Sequence, residues 1–445
     1  MEFSSLLFIF RFLPIFLLLY YLVPDRWKNP VLFAGSIVFY AMGSWQDAIL
    51  LLLSLSLNYA LTLVMDRENG SVVWRRVWMI LLVICDVGVL CFYKFYVRML
   101  PLGISFYTFT ILSYVLDVYQ GRERAERNYI RAGTYVMMFP KLISGPIASF
   151  RETIGAVRSR THDVEKIEHG VSLLIVGLIY KVIIADRLAA LWKDIQTVGF
   201  ESISTPLAWL GIVGYSAQLF FDFQGYSMMA VGLGEMLGFS LPHNFNHPYR
   251  AISVGDYYRR WHRTLGAWFK DYLYIPLGGN RKGKLRTCLN LFIVWVVTGI
   301  WHGDTWNFLL WALALYGLIV LEKLGMRRWL ERFPGIGHAY ILFFMPLTWL
   351  IFAVKDIGQL GIYFSRLFPF FGNGIAVNKM DYLQRCKNYG PFLILALLVS
   401  MPFADKLWKK YWNKIWMKML LFVCFWICVW MLAKGNQNPF LYFVF

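Results

Sequence analysis

The chain has 445 residues, of which 58% are hydrophobic, 18% aromatic and 16% charged, with a mean hydropathy of +0.52 and a formal net charge of +18. A soluble globule of this length is less apolar and more charged, so the composition excludes that class and selects a polytopic membrane protein. The basic surplus would suggest nucleic acid in a soluble chain, but here Lys and Arg stand in short loops between apolar runs, the positive-inside pattern.

Apolar runs near the ~20 residues that cross a bilayer recur from end to end. They predict an all-α integral membrane protein: one membrane-embedded domain over 1–445, with a motif-dense core at about 101–322 flanked by helices in 1–100 and 323–445. Spans are expected at 6–23, 30–43, 47–65, 77–98, 103–119, 168–185, 205–222, 225–240, 287–302, 305–322, 338–354, 389–404 and 415–433, a bundle of roughly 11–13 membrane segments. Several are short or carry Gly and Pro. Non-helical backbone survives at membrane depth only where protein or a water-filled cavity satisfies its amides, so re-entrant or in-plane pieces around a cavity are expected. The first run, from Leu6 to Val23, contains Arg11 and Pro14 and lacks a small-residue cleavage signal after it, so it reads as a retained helix. Of six cysteines, Cys85, Cys91, Cys424 and Cys428 lie in apolar segments, which does not describe a disulfide framework.

Polar residues inside these runs need partners or roles. Residues 101–120 are rich in hydroxyls, which bond back to their own helix or line a polar path. The prolines and glycine of MMFPKLISGPI at 137–147 predict a broken element, with Lys141 either snorkelling or meeting an anion. Asp222 and Glu235 sit in otherwise apolar sequence, where a charge costs at least ~2.5 kcal/mol on insertion scales. The Gln224-Gly225 pair after Asp222 predicts a helix break that the carboxylate could cap.

From Arg250 to Arg286 there are nine Lys or Arg against Asp256 and Asp271, which predicts a cytoplasmic segment. Within it, Asp256 to Lys270 has helical periodicity: Tyr258, His262, Leu265 and Phe269 share one face, with Arg259, Arg263 and Lys270 elsewhere. An interfacial helix is expected, with Trp261 and Trp268 at headgroup depth and His262 on the buried side. LGGNRKGK at 277–284 lacks the spacing of a P-loop and reads as a tight turn with a basic tip. A helix then runs from Arg286 to His302, with Gly303 as its terminator and Asp304 or Thr305 as the next N-cap. His302 at that corner is either an interhelical hydrogen-bond partner or a catalytic group; a second buried histidine and a basic mouth favour catalysis. The loose spacing of the histidines does not resemble a metal site.

PLGISFYTF at 101–109, FPKLISGPI at 139–147, FDFQGYS at 221–227, NFNHPYRAIS at 244–253, YYRRWHRTLGAWFKDYLYIPLGGNRKG at 257–283, TGIWHGDTWNFLLWA at 298–312 and the terminal PFLYFVF resemble the membrane-bound O-acyltransferase family, in its alginate O-acetyltransferase branch. Gln224 and Met228 depart from that branch, which reads FDFSGYSDMA there. The resemblance implies a helical bundle around a central tunnel, with His302 catalytic and His262 a second functional histidine. Trp301 and Asn307 are nearby positioning residues; Asp222, Arg259, Arg260, Trp261, Asp271, Tyr274, Asn280 and Arg281 are further positions for holding donor or acceptor.

The expected activity is transfer of an acyl group, most simply acetyl, from a cytosolic thioester across the plasma membrane for O-acetylation of an exported or cell-surface polysaccharide. The donor is acetyl-CoA or an acyl carrier, used as substrate and not as a bound cofactor. A separate extracytoplasmic acetyltransferase is the expected partner, and nucleic acid is not. D-alanyl transfer for teichoic acid and non-enzymatic transport of glycan or lipid are the competing readings; the inverted repeat that transport would favour is not evident.

Overall fold

The computed structural model describes residues 1–67, 71–368, 370, 377–435 and 440–441. No strand occurs among the described residues. Six helices are long and apolar enough to cross a membrane: Trp45–Arg67, Val72–Val97, Gly283–His302, Trp306–Arg332, Pro334–Ala353 and Ile415–Ala433. The pair Asp381–Ser400 and Pro402–Tyr411, bent by 70°, makes a seventh if it is one broken span. Phe8–Leu22 and Ile104–Tyr119 are apolar but shorter. The chain is thus a polytopic membrane protein, and the larger tally from hydropathy includes such short and interrupted pieces. The terminal PFLYFVF motif lies outside the described residues except for Phe440 and Leu441.

The chain packs into two compact units, Met1–Val176 with Tyr226–His243, and Gly177–Gly225 with Asn244–Phe445. In the first, Phe139 is the hub of an aromatic core, its ring centroid 5.5 Å from Phe12, 5.1 Å from Phe16 and 5.3 Å from Phe39. The broken element is present: helix Tyr129–Met137 gives way to the single turn Phe139–Leu142, then to irregular chain. Gly145 permits the tight return, since a Cβ there would lie 2.4 Å from the Lys141 Cα. Lys141 does not snorkel. It is 2% exposed, with its ammonium 3.7 Å from the centroid of the Tyr135 ring, a cation–π contact in place of water. Thr110 and Ser113 donate back to the carbonyls of Phe106 and Phe109, the self-satisfying choice for membrane hydroxyls. Glu235 pairs with His169 Nδ1 at 2.7 Å.

The expected break at Gln224-Gly225 does not occur. One helix, Thr205–Met236, replaces the two spans expected at 205–222 and 225–240. Gly225 serves packing: a Cβ there would stand 2.6 Å from the Gly177 carbonyl oxygen, so helices meet backbone to backbone. Asp222 therefore caps no helix end. Its carboxylate takes a 2.7 Å ion pair from Lys181, which also reaches Asp186 at 2.8 Å, and accepts from the Leu441 amide at 2.7 Å. All three groups are buried, with Lys181 shared between the two carboxylates.

Nor is the stretch Asp256–Lys270 one helix. Helix Val254–Arg260 stops, Trp261 is extended, His262 adopts left-handed φ 43°, ψ 52°, and helix Arg263–Phe269 begins. No glycine or proline signals this corner. It is imposed from a distance by the 244–246 segment: the Asn244 carbonyl accepts from the Arg263 amide at 2.8 Å, its side-chain oxygen from the Thr264 hydroxyl at 2.6 Å, and the Asn246 amide donates to the Arg260 carbonyl at 3.0 Å. Trp261 is accordingly buried inside the protein against Trp349 and Tyr257, at 4.8 and 5.6 Å.

Candidate active site

Both histidines stand at corners. His302 ends helix Gly283–His302, and the chain turns at Gly303 into helix Trp306–Leu321. Gly303 is required by a close approach, since a Cβ there would fall 2.0 Å from Phe308 ring atoms. Thr305 takes the N-cap position, but its hydroxyl donates to the Asn307 side-chain oxygen at 2.6 Å instead of capping a backbone amide. The Asn307 amide in turn donates to the Ile351 and Phe352 carbonyls at 3.1 and 2.9 Å, tying this corner to the end of helix Pro334–Ala353. Phe352 lies edge-on to His302 at 5.3 Å, and Trp311 at 5.0 Å from the same ring.

His262 and His302 are 3% and 8% exposed and line one cavity of about 230 Å³. Trp301 contacts both imidazoles, its centroid 6.4 Å from His262 and 4.6 Å from His302. Indoles of Trp261, Trp295, Trp311 and Trp349 form the walls, with Tyr258, Tyr274 and Thr298 supplying hydroxyls. Among the described residues the one full charge in the lining is Lys270, which is exposed. Burial in these apolar surroundings pushes the His262 imidazole down to about 3, so it is neutral at ordinary pH. A neutral imidazole offers one N–H donor and one acceptor nitrogen.

The structure thus brings together His262, His302, Trp261 and Tyr274, with Trp301 and Asn307 holding the histidine corners. It does not bring the other expected positions to the cavity. Arg259 and Arg260 pair with Asp256 at 3.3 and 3.0 Å, Asp271 is half-buried outside the lining, and Asn280 and Arg281 are exposed. Asp222 belongs to the Lys181 cluster. The 277–284 turn is as tight as expected: Gly278, Gly279 and Gly283 have positive φ, and the buried Asn290 amide grips the Gly279 carbonyl at 2.8 Å.

Sequence reasoning missed Trp295, Trp311, Trp349, Thr298 and Asn244. Leu291, Trp295, Thr298 and His302 recur at three- and four-residue spacing on one helix, a readable ladder. Trp349 and Asn244 arrive from distant segments and carry no local signal.

Residues 125–352 match the model of MBOAT, the membrane-bound O-acyltransferase family. The chain is 39% identical to a probable alginate O-acetylase AlgI of Pseudomonas fluorescens, over 83% of this chain and 76% of that protein. It is 33% identical to a peptidoglycan O-acetyltransferase of Helicobacter pylori, over 80% and 77% respectively. A teichoic acid D-alanyltransferase of Bacillus subtilis is 27% identical over 48% of this chain and 56% of its own length. The matched family segment contains both histidine corners, and the chain belongs to the membrane-bound O-acyltransferase family as a membrane-embedded O-acyltransferase.

Proposed function

We propose that this enzyme moves an acetyl group from a cytosolic thioester, acetyl-CoA or an acyl carrier, across the plasma membrane for O-acetylation of an exported or cell-surface polysaccharide. The observation that carries the reading is the meeting of two histidines, from separate elements, in one indole-walled cavity of about 230 Å³. Small-molecule sites run to about 300–1,000 Å³, so this volume suits a two-carbon acyl group better than a fatty chain. The relatives lean the same way. Identity is 33–39% over about four fifths of the chain to O-acetylating relatives, against 27–28% over about half to D-alanyl transferases.

In the proposed step His302 accepts the proton of an acceptor hydroxyl as its oxygen attacks the thioester carbonyl. The tetrahedral oxyanion collapses with cleavage of the carbon–sulfur bond, and the departing thiolate takes the proton back from His302. Proton transfer of this kind contributes ~10²–10⁴-fold. Neutral His262 donates to the oxyanion or fixes the thioester, with Trp301 keeping the two rings in place. The nine bases of 250–286 face the cytosol and attract the phosphates or acidic surface of the donor. A separate extracytoplasmic transferase completes delivery to the polysaccharide.

Inside-out membrane vesicles supplied with labelled acetyl-CoA or labelled acetyl carrier test the donor. Histidine-dependent release of free thiol from either one is expected. Turnover of a D-alanyl carrier alone would replace the acetyl reading with the teichoic acid one.

A further inference from the structure

We infer that the N-terminal hairpin carries a binding groove for one anionic glycerophospholipid, independent of the acyl-transfer site. The legs are Phe8–Leu22 and Asp25–Ala41. Leu7, Arg11, Ile15 and Leu19 recur every fourth residue along one leg and face Ala34 and Val38 on the other, around a groove of about 620 Å³. Gly35 lets the two legs pack closely at the floor of the groove: a Cβ there would lie 2.5 Å from the Phe16 ring. Ile15, Leu19 and Val38 are exposed, and in a membrane protein such a face meets lipid.

Arg11 decides what the groove holds. It is exposed within this apolar row, in a π-helical turn, Phe8–Phe12, of the kind that often marks functional sites. No hydrogen bond or ion pair from another described residue reaches it. A guanidinium on a membrane face is costly without an anion, and no described residue provides one there. The missing anion therefore comes from the occupant, whose remainder is apolar.

The charge of Arg11 and the length of the groove point to a lipid. From Leu7 to Val23 the groove runs about 24 Å at 1.5 Å per residue. Spread over that length, its volume of about 620 Å³ leaves roughly 26 Å² of section, room for a slender chain lying along it. One hydrocarbon chain fits along it, with the phosphate at Arg11 about one turn from the Leu7 end.

The test uses the delipidated full-length protein titrated with dioleoyl phosphatidylglycerol or dioleoyl phosphatidylcholine and read by native mass spectrometry. The wild type should prefer the anionic lipid at least about fivefold, the scale of one basic residue at a membrane surface. Arg11→Gln should remove the preference, Arg11→Lys should keep most of it, and Ala34→Phe should weaken both lipids by filling the channel. Melting and elution matched to wild type show that each variant is folded; should Arg11→Gln misfold, the Arg11→Lys and Ala34→Phe pair still decides. Equal affinity of the wild type for the two lipids, or undiminished binding by Ala34→Phe, overturns the proposal. So does a co-purifying polypeptide that Ala34→Phe displaces while lipid binding is unchanged.

Discussion

Each histidine of the cavity is held by residues that do not line it. His262 occupies a left-handed backbone position that a non-glycine residue adopts only when its surroundings enforce it, and Asn244 supplies the enforcing hydrogen bonds. His302 depends on Asn307, whose amide binds two carbonyls beside Phe352. Replacing Asn307 by Ala leaves buried acceptors unsatisfied, at a cost of about 1–3 kcal/mol. The expected outcome is a lower melting temperature in detergent together with reduced transfer; unchanged values for both would deny Asn307 its positioning role. The two imidazoles also differ in charge behaviour. Because burial lowers the His262 pKa to about 3, this residue stays neutral through pH 5–8 and cannot produce an acid limb there. A pH–rate profile of a His262→Asn variant with residual activity should keep any limb in that range where the wild type has it. A limb that vanishes with His262 would show that the ring titrates in the working enzyme.

At the scale of elements, the bent pair Asp381–Ser400 and Pro402–Tyr411 is pinned by His247, which bonds the Ser400 carbonyl at 2.9 Å and Asp405 at 2.7 Å. The hydrogen bond that the imidazole donates to Asp405 raises the His247 pKa above its ordinary 6.5. Stability from this link is therefore full below the unfolded value and is lost as pH rises through the raised one. Thermal scans from pH 5.5 to 8.5 should show the gap between wild type and His247→Asn closing toward high pH; a gap that does not vary with pH removes the ionic contribution. Elements of this kind show what a sequence conveys. The break at 137–147 was legible because prolines act locally, and the His302 corner because Gly303 follows it. The His262 corner was hidden, since the order comes from Asn244, and Gly225 misled because a glycine that breaks a helix and one that lets two helices touch look alike in one chain.

For the whole molecule, composition and motifs together carried the membrane class, the family and the two histidines. The indole walls, drawn from three helices and the extended Trp261, needed the fold. In the proposed function the paired-histidine cavity performs acyl transfer, with His302 as the base. The most direct test is the acetyl-ester content of extracellular polysaccharide in a deletion strain complemented with wild type, His302→Ala or His262→Ala at matched membrane levels. Wild type should restore the esters, His302→Ala should restore none, and His262→Ala should fall well short. Full restoration by His302→Ala at equal abundance would contradict the role of His302 as the base and leave that imidazole a packing residue.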